Sequence, residues 1–224
     1  MKNGRMTFAS LFSGCGGFDL GFTSRGFHSK GVFDCKLEAV ENFAANFDAP
    51  VNCVDLTQSI PDEHRLFGVD ALIAGPPCQG FSTAGRRLLN DQRNHLLTLT
   101  GTLARRVSPK VLVVENVSGA LSGEHARYLE SLEATMRLAN YRTHTLRCQA
   151  ADLGMAQLRR RVLFFAWRTG RDTQFTLPAK PYGELRTVLI LIRVQVEINN
   201  PRPSADTFDT LAIGSETGQA FLEL

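Results

Sequence analysis

The sequence predicts an α/β domain built on a mainly parallel central sheet, and three observations predict it. Short apolar runs alternate with amphipathic helical patterns along most of the chain, the order expected of βαβ units. The first apolar run enters a glycine-rich turn that opens a helix. The run Val111–Val114 holds nothing but Val and Leu, as a strand buried on both faces should.

Each element follows from its own pattern. Phe8–Phe12 is a first strand, closed by Ser13-Gly14-Cys15-Gly16-Gly17. Val32–Asp34 is a second. Within Lys36–Phe47, Val40, Phe43, Ala44 and Phe47 recur at helical spacing. Val51–Leu56 is a third strand, and Asp70–Ala74 a fourth, broken by Gly75-Pro76-Pro77. Leu96, Leu99, Leu103 and Val107 mark a helix that must stop before Pro109. Val111–Val114 is the central strand. Tyr128, Leu132 and Met136 mark a further helix, and Tyr141–Cys148 with Val162–Trp167 read as a closing pair of strands. Composition changes after Gly170, where four prolines (Pro178, Pro181, Pro201, Pro203) flank one apolar run, Val188–Val196. The expected division is a domain over residues 1–170 and a tail over 171–224.

Composition narrows the class. A chain of 224 residues fits one domain plus an appendage. Hydrophobic content of 43% with 21% charged residues is ordinary for a soluble globular protein. There is no run of about 18 apolar residues, so no membrane span is expected. Ser13-Gly14-Cys15-Gly16-Gly17 interrupts any signal-peptide core near the N-terminus. The expected compartment is the cytoplasm or the bacterial nucleoid. Five cysteines (Cys15, Cys35, Cys53, Cys78, Cys148) fit neither a disulfide framework nor a metal site, so reduced thiols and no metal are expected. The net charge of +3 is unevenly placed: from residue 171 acids outnumber bases, and the body is correspondingly basic. That suits a polyanionic partner but does not identify one.

Five local patterns carry chemistry. The turn Phe12-Ser13-Gly14-Cys15-Gly16-Gly17 brings backbone close to a ligand and aims helix N–H groups at an anionic one, although a plain tight turn would look the same. Its spacing is not the dinucleotide G-x-G-x-x-G, which argues against NAD. Asp34 and Asp55 stand at strand ends, where one carboxylate suits ribose hydroxyls and the other an adenine amine; helix capping is the competing reading. In Gly75-Pro76-Pro77-Cys78-Gln79-Gly80-Phe81-Ser82, two prolines stiffen the approach to a cysteine placed as a nucleophile rather than as a core residue. Glu115-Asn116-Val117 follows the central strand, and a carboxylate there costs energy unless it has partners or a task. Gln157-Leu158-Arg159-Arg160-Arg161 offers guanidinium forks for carbonyl oxygens or phosphate, or else a solvated basic edge.

Taken in order, these residues resemble the cytosine-C5 DNA methyltransferase family. The glycine turn is similar to the family's AdoMet loop, Pro77-Cys78-Gln79 to its Pro-Cys-Gln loop, and Glu115-Asn116-Val117 to its Glu-Asn-Val triplet. Gln157, Arg159 and Arg161 match its Gln-x-Arg-x-Arg, and Asp91-x-Arg93-Asn94-x-Leu96 a further acidic-Arg element. The resemblance covers residues 6–168. It implies a Rossmann-like class I AdoMet-dependent methyltransferase domain that transfers a methyl group from S-adenosyl-L-methionine to C5 of cytosine in double-stranded DNA. It further implies Cys78 as the covalent nucleophile, Glu115 at the base N3, and Arg161 with Arg159 at the base carbonyl or flanking phosphates. Phe12, Gly14, Gly16, Gly17, Asp34, Asp55 and Pro76 would cradle the cofactor, and Gln79, Ser82, Asn116 and Gln157 would contact the substrate. Two positions depart from the family: Asp34 stands where Glu is usual, and Ala156 where Pro is usual.

The family continues with a target-recognition region and two further elements, none of which is recognisable in residues 171–224. Two alternatives therefore stand beside the DNA enzyme. One is a fragment inactive alone, or one chain of a split methyltransferase completed by a second polypeptide, with Val188-Leu189-Ile190-Leu191-Ile192 as a partner surface. The other is a tRNA cytosine-C5 methyltransferase of the same architecture.

Overall fold

A computed structural model of the chain describes residues 5–58, 66, 68–77, 94–153 and 157–168. These fall into two units, one of residues 5–147 and 160–168, the other from the described part of 148–159. The first unit holds the sheet and its helices.

Seven strands form one sheet in the order β3-β2-β1-β4-β5-β7-β6. They are β1 Thr7–Leu11, β2 His28–Asp34, β3 Val51–Cys53, β4 Ala71–Ala74, β5 Val111–Val117, β6 Tyr141–Gln149 and β7 Arg160–Arg168. β1 pairs in parallel with both β2 and β4, β2 with β3, and β4 with β5. β7 runs antiparallel to β5. The expected α/β class and mainly parallel sheet are what the structure has. The expected closing pair of strands is also present, with β7 lying between β5 and β6. Local periodicity carries no information on that order.

The helices are α1 Gly17–Thr23, α2 Leu37–Asn46, α3 His95–Val107 and α4 Ala126–Leu138. α3 ends where Ser108 turns left-handed at φ 60°, one residue before Pro109, which cannot donate to a continuing helix. The larger core packs Leu97, Leu103 and Ala104 of α3 and Leu129, Leu132 and Met136 of α4 on Leu11, Leu72, Leu112, Val114 and Phe164 of the sheet. On the other face Phe18 and Phe22 of α1 cover Phe8, Ala71, Ile73 and Val113. The two apolar sets alternate along each strand, as period-2 side chains must.

Some boundaries move in a way that matters for the site. β1 stops at Leu11, and Phe12 belongs to the turn with φ 54°. β5 runs on through Val117, so the Glu-Asn-Val triplet is the last segment of the strand rather than a loop after it. Its backbone is held on the β7 side by register with Leu163, Val162 and Arg161.

Candidate active site at the carboxyl edge of the sheet

The five parallel strands β1–β5 point their carboxyl ends to one edge. Strand order reverses between β1 and β4, and in open α/β sheets ligands bind in the crevice at such a point. The glycine turn lies on the β1 side of that crevice and Gly75-Pro76-Pro77 on the β4 side. The two approach closely: the Gly75 N–H donates to the Leu11 carbonyl at 3.1 Å, and a Cβ on Gly75 would stand 3.4 Å from the Phe12 carbonyl oxygen.

The turn is fixed by two different constraints. Gly16 has φ 86°, and a Cβ there would lie 2.5 Å from the Phe47 ring and 2.8 Å from Phe43, whose rings stack at 4.5 Å. Glycine is required by conformation and by packing together. Gly14, at φ 54°, and Gly17 instead have no atom of the described residues within 4 Å of where a Cβ would be. One side of the turn is therefore packed on α2 while the other is open. Asp34 ties it to β2: Oδ2 accepts the Gly14 N–H at 2.9 Å and Oδ1 the Lys36 N–H at 3.0 Å. Asp55, two residues past β3, accepts the Thr57 hydroxyl at 2.7 Å and its N–H at 2.9 Å, bonds that hold its carboxyl below the ordinary range. Asp55 thus shapes its own turn, the local role that competed with ligand binding in the sequence.

Across the crevice, alternation along β5 divides the triplet's work. Asn116 is buried, and its Nδ2 donates to the Pro76 carbonyl at 3.3 Å while its Oδ1 accepts the Val117 N–H at 2.8 Å. It pins the proline loop two residues before Cys78. Glu115, its side chain one-third exposed, meets Arg161 Nε from β7 in a close charge contact whose N–H is not aligned as a hydrogen bond. The register explains the meeting: Glu115 opposes Leu163 and Val117 opposes Arg161, so the two charges are diagonal neighbours on one face. Arg161 Nη1 also donates to the Arg160 carbonyl at 2.8 Å.

One buried acid near the turn escaped the sequence reading of the site. Asp19 in α1 is fully buried, and its Oδ2 accepts the Ser10 hydroxyl of β1 at 2.9 Å. Burial outweighs that hydrogen bond and pushes its carboxyl up to about 6. The signal was an acid between Phe18 and Phe22 on the apolar face of a short helix.

The remaining expected residues divide as follows. Cys78, Gln79, Ser82, Asp91, Arg93, Ala156 and residues 171–224 lie outside the described residues. Gln157 and Arg159 are exposed and belong to the second unit, where the Arg159 N–H donates to the Gln157 carbonyl and the Ala150 N–H to the Arg159 carbonyl, both at 2.9 Å. Among the described residues no group of three or more His, Cys, Asp or Glu side chains could hold a metal ion. No helix among them is long and apolar enough to cross a membrane.

Comparison with known proteins matches residues 6–206 to the family model "C-5 cytosine-specific DNA methylase". The match runs well past residue 168, where the sequence motifs end. Type II methyltransferase M1.HphI of Haemophilus parahaemolyticus is 34% identical over 193 residues, which is 82% of this chain and 51% of that protein. Type II methyltransferase M.AquIA of Picosynechococcus is 33% identical over 196 residues, 80% of this chain and 79% of that protein. The chain spans about half the length of most of the curated relatives it matches. Among solved structures, Entamoeba histolytica methyltransferase EhMeth superposes with a TM-score of 0.65 at 20% identity, covering 81% of this chain and 58% of that one. Schizosaccharomyces pombe Dnmt2 methyltransferase superposes at 0.63 and 16% identity, covering 84% and 59%. Both likenesses speak to the fold.

Proposed function

The chain belongs to the C-5 cytosine-specific DNA methylase family, and from that premise we propose that it transfers a methyl group from S-adenosyl-L-methionine to C5 of cytosine in DNA. The observation that carries the proposal is the end of β5. There Glu115 faces Arg161 while Asn116 pins the loop that leads to Cys78. A single strand end thus organises an acid, a base-binding cation and the approach to a thiol.

The residues present fit the methyl donor. Gly14 and Gly17 leave one side of the turn open, Asp34 at the end of β2 bonds that turn, and Asp55 follows the end of the neighbouring strand β3. A carboxylate oxygen has two lone pairs, so the bonds from Gly14 and Lys36 leave Asp34 capacity for a ribose hydroxyl. Phe12, Gly16 and Pro76 complete the proposed cradle. When bound, S-adenosyl-L-methionine supplies the methyl group.

The protein's part is to make a cytosine ring nucleophilic at C5. The target base is extruded from the duplex into the crevice. The Cys78 thiolate adds to C6, and Glu115 holds a proton at N3, so the negative charge entering the ring is neutralised as it forms. Arg161 orients the Glu115 carboxyl and meets the base carbonyl. Arg159 holds flanking phosphate, and Gln79, Ser82 and Gln157 contact the nucleotide. Loss of the C5 proton after methylation re-forms the double bond and expels Cys78. Transfer of label from methyl-labelled S-adenosyl-L-methionine to mixed DNA and to tRNA tests this. DNA-directed, Cys78-dependent transfer is expected. Transfer to tRNA alone, or transfer that survives Cys78→Ala, overturns the proposal.

A further inference from the structure

Methyl transfer leaves one buried acid beside the glycine turn without a task. Asp19 is the third residue of α1, two past Gly17, and is fully buried. Ser10, near the end of β1, donates its hydroxyl to Asp19 Oδ2 at 2.9 Å. That bond joins the two segments that flank the turn, so the carboxyl stands at the turn's foot. Oδ1 is buried and has no hydrogen-bond partner among the described residues, and no charge among them acts on the carboxyl. α1 and β1 carry no other charged side chain. On the sheet face that α1 covers, Glu115 and Arg161 pair with each other. Arg25, just past α1, and His28 and Lys30 of β2 are exposed, and Asp34 is bonded to the Gly14 and Lys36 amides. Asp19 therefore answers to burial, to Ser10 and to its own backbone N–H, which together set its carboxyl at about 6. At neutral pH it is an anion without a counter-ion. The layer between α1 and the sheet holds Phe8, Phe18, Phe22 and Ile73, so little water screens that charge.

We propose that Asp19 sets the charge preference of the glycine turn, its carboxylate favouring the sulfonium of S-adenosyl-L-methionine over the neutral thioether that remains after methyl transfer. The two molecules share their adenosine, ammonium and carboxylate groups, so contacts to those groups do not separate them. The charge at sulfur does. A buried anion with no opposite charge is costly, and a cation held on the turn relieves that cost from a distance. The coupling is reciprocal: the sulfonium favours the ionised form of Asp19, and the thioether does not. Near pH 6 about half of the free chains hold a proton on Asp19, so binding the sulfonium expels protons that binding the thioether leaves in place. The consequence for turnover is that the product is held less firmly than the donor would be by the same contacts. This role rests on the S-adenosyl-L-methionine reading of the site.

The test measures binding of S-adenosyl-L-methionine and of S-adenosyl-L-homocysteine to the full chain by calorimetry. Near pH 6, two buffers of different ionisation enthalpy count the protons released. Up to about half a proton is expected with the sulfonium ligand and almost none with the thioether. Asp19→Asn keeps an acceptor for Ser10 but removes the charge. At about pH 7.5 it should move the ratio of the two affinities roughly tenfold towards the thioether, and near pH 6 it should abolish the difference in proton release. Ser10→Ala removes the bond and keeps the charge, so it should retain the parent's ratio. Equal proton release with both ligands, or an equal loss of both affinities in Asp19→Asn, overturns the proposal and leaves Asp19 a structural residue. Should Asp19→Asn not fold, the proton count of the parent decides. A parent chain that binds neither ligand overturns the S-adenosyl-L-methionine reading itself, and the charge preference with it.

Discussion

At the residue scale, the side chains that matter most are those whose neighbours leave them one task. Glu115 is half of a charge pair at a strand end, and its partner Arg161 arrives by register. Glu115→Gln keeps the shape but removes the proton carrier, so kcat should fall by about 10²–10⁴-fold, with affinity for S-adenosyl-L-methionine nearly unchanged. A parallel loss of cofactor affinity would show that Glu115 serves the wrong site. Asn116 touches no reacting atom in this account and is a positioning residue. Asn116→Ala leaves the Pro76 carbonyl without its buried donor and should cost about 1–3 kcal/mol in urea unfolding. It should also lower kcat more than it raises KM, and Asn116→Asp, which lacks the amide donor, should not rescue it. Asp19 gives a pH signature. Its folded carboxyl titrates near 6 against an ordinary 3.8, so the folded state holds the extra proton between those values. Stability should therefore fall as pH rises through that window and level off above it, by an amount on the order of 3 kcal/mol. Asp19→Asn should flatten that part of the curve in thermal melts from pH 3.5 to 7; a variant curve parallel to the parent's would refute the shift.

The residue scale is also where the sequence was most and least informative. The glycine turn and Pro76-Pro77 were visible because glycine and proline punctuate strand ends, and Glu115 and Arg161 because they are charges bordering apolar runs. The division of labour between Glu115 and Asn116 was not, because it depends on β5 extending through Val117 and on which strand lies beside it. Asp34 and Asp55 look alike in sequence, yet one clamps the glycine turn and the other closes a turn of its own. Asp19 stayed hidden because its burial comes from α1 folding onto Ser10 of β1, a contact no spacing reveals.

At the scale of elements, the glycine turn and α2 form one unit. Gly16 sits against the stacked rings of Phe43 and Phe47, so the start of α1 and the end of α2 cannot separate without opening a packed contact. Gly16→Ala forces a Cβ into those rings at a positive φ and should destabilise the chain by roughly 1–3 kcal/mol. Gly14→Ala meets no described atom and pays for conformation alone, so it should unfold at a higher temperature than Gly16→Ala while still weakening cofactor binding. The reverse order in differential scanning fluorimetry would mean that the turn is not packed on α2 as described. Helix and strand identities were readable because periods of 3.6 and 2 report burial directly. The ends were less so: Phe12 reads as strand by hydrophobicity but takes φ 54°, since the turn demands it.

At the scale of the molecule, the α/β class followed from the alternation, the glycine turn and the Val111–Val114 run, but sheet order did not. Placement of β7 between β5 and β6 is a long-range choice, and it is what brings Arg161 to Glu115. The reversal between β1 and β4 sets where the crevice opens, and every expected site residue described in the first unit lies on that edge. The central claim is that this edge presents Cys78 to C6 of a cytosine. Duplex DNA carrying 5-fluorocytosine tests it most directly. After addition at C6 and methylation, C5 has fluorine in place of a removable proton, so the thiol cannot be expelled. With S-adenosyl-L-methionine present, the chain should form a denaturant-resistant DNA adduct that maps to Cys78 and is lost in Cys78→Ala. Methyl transfer to ordinary DNA without any such adduct, or an adduct that persists in Cys78→Ala, would contradict it.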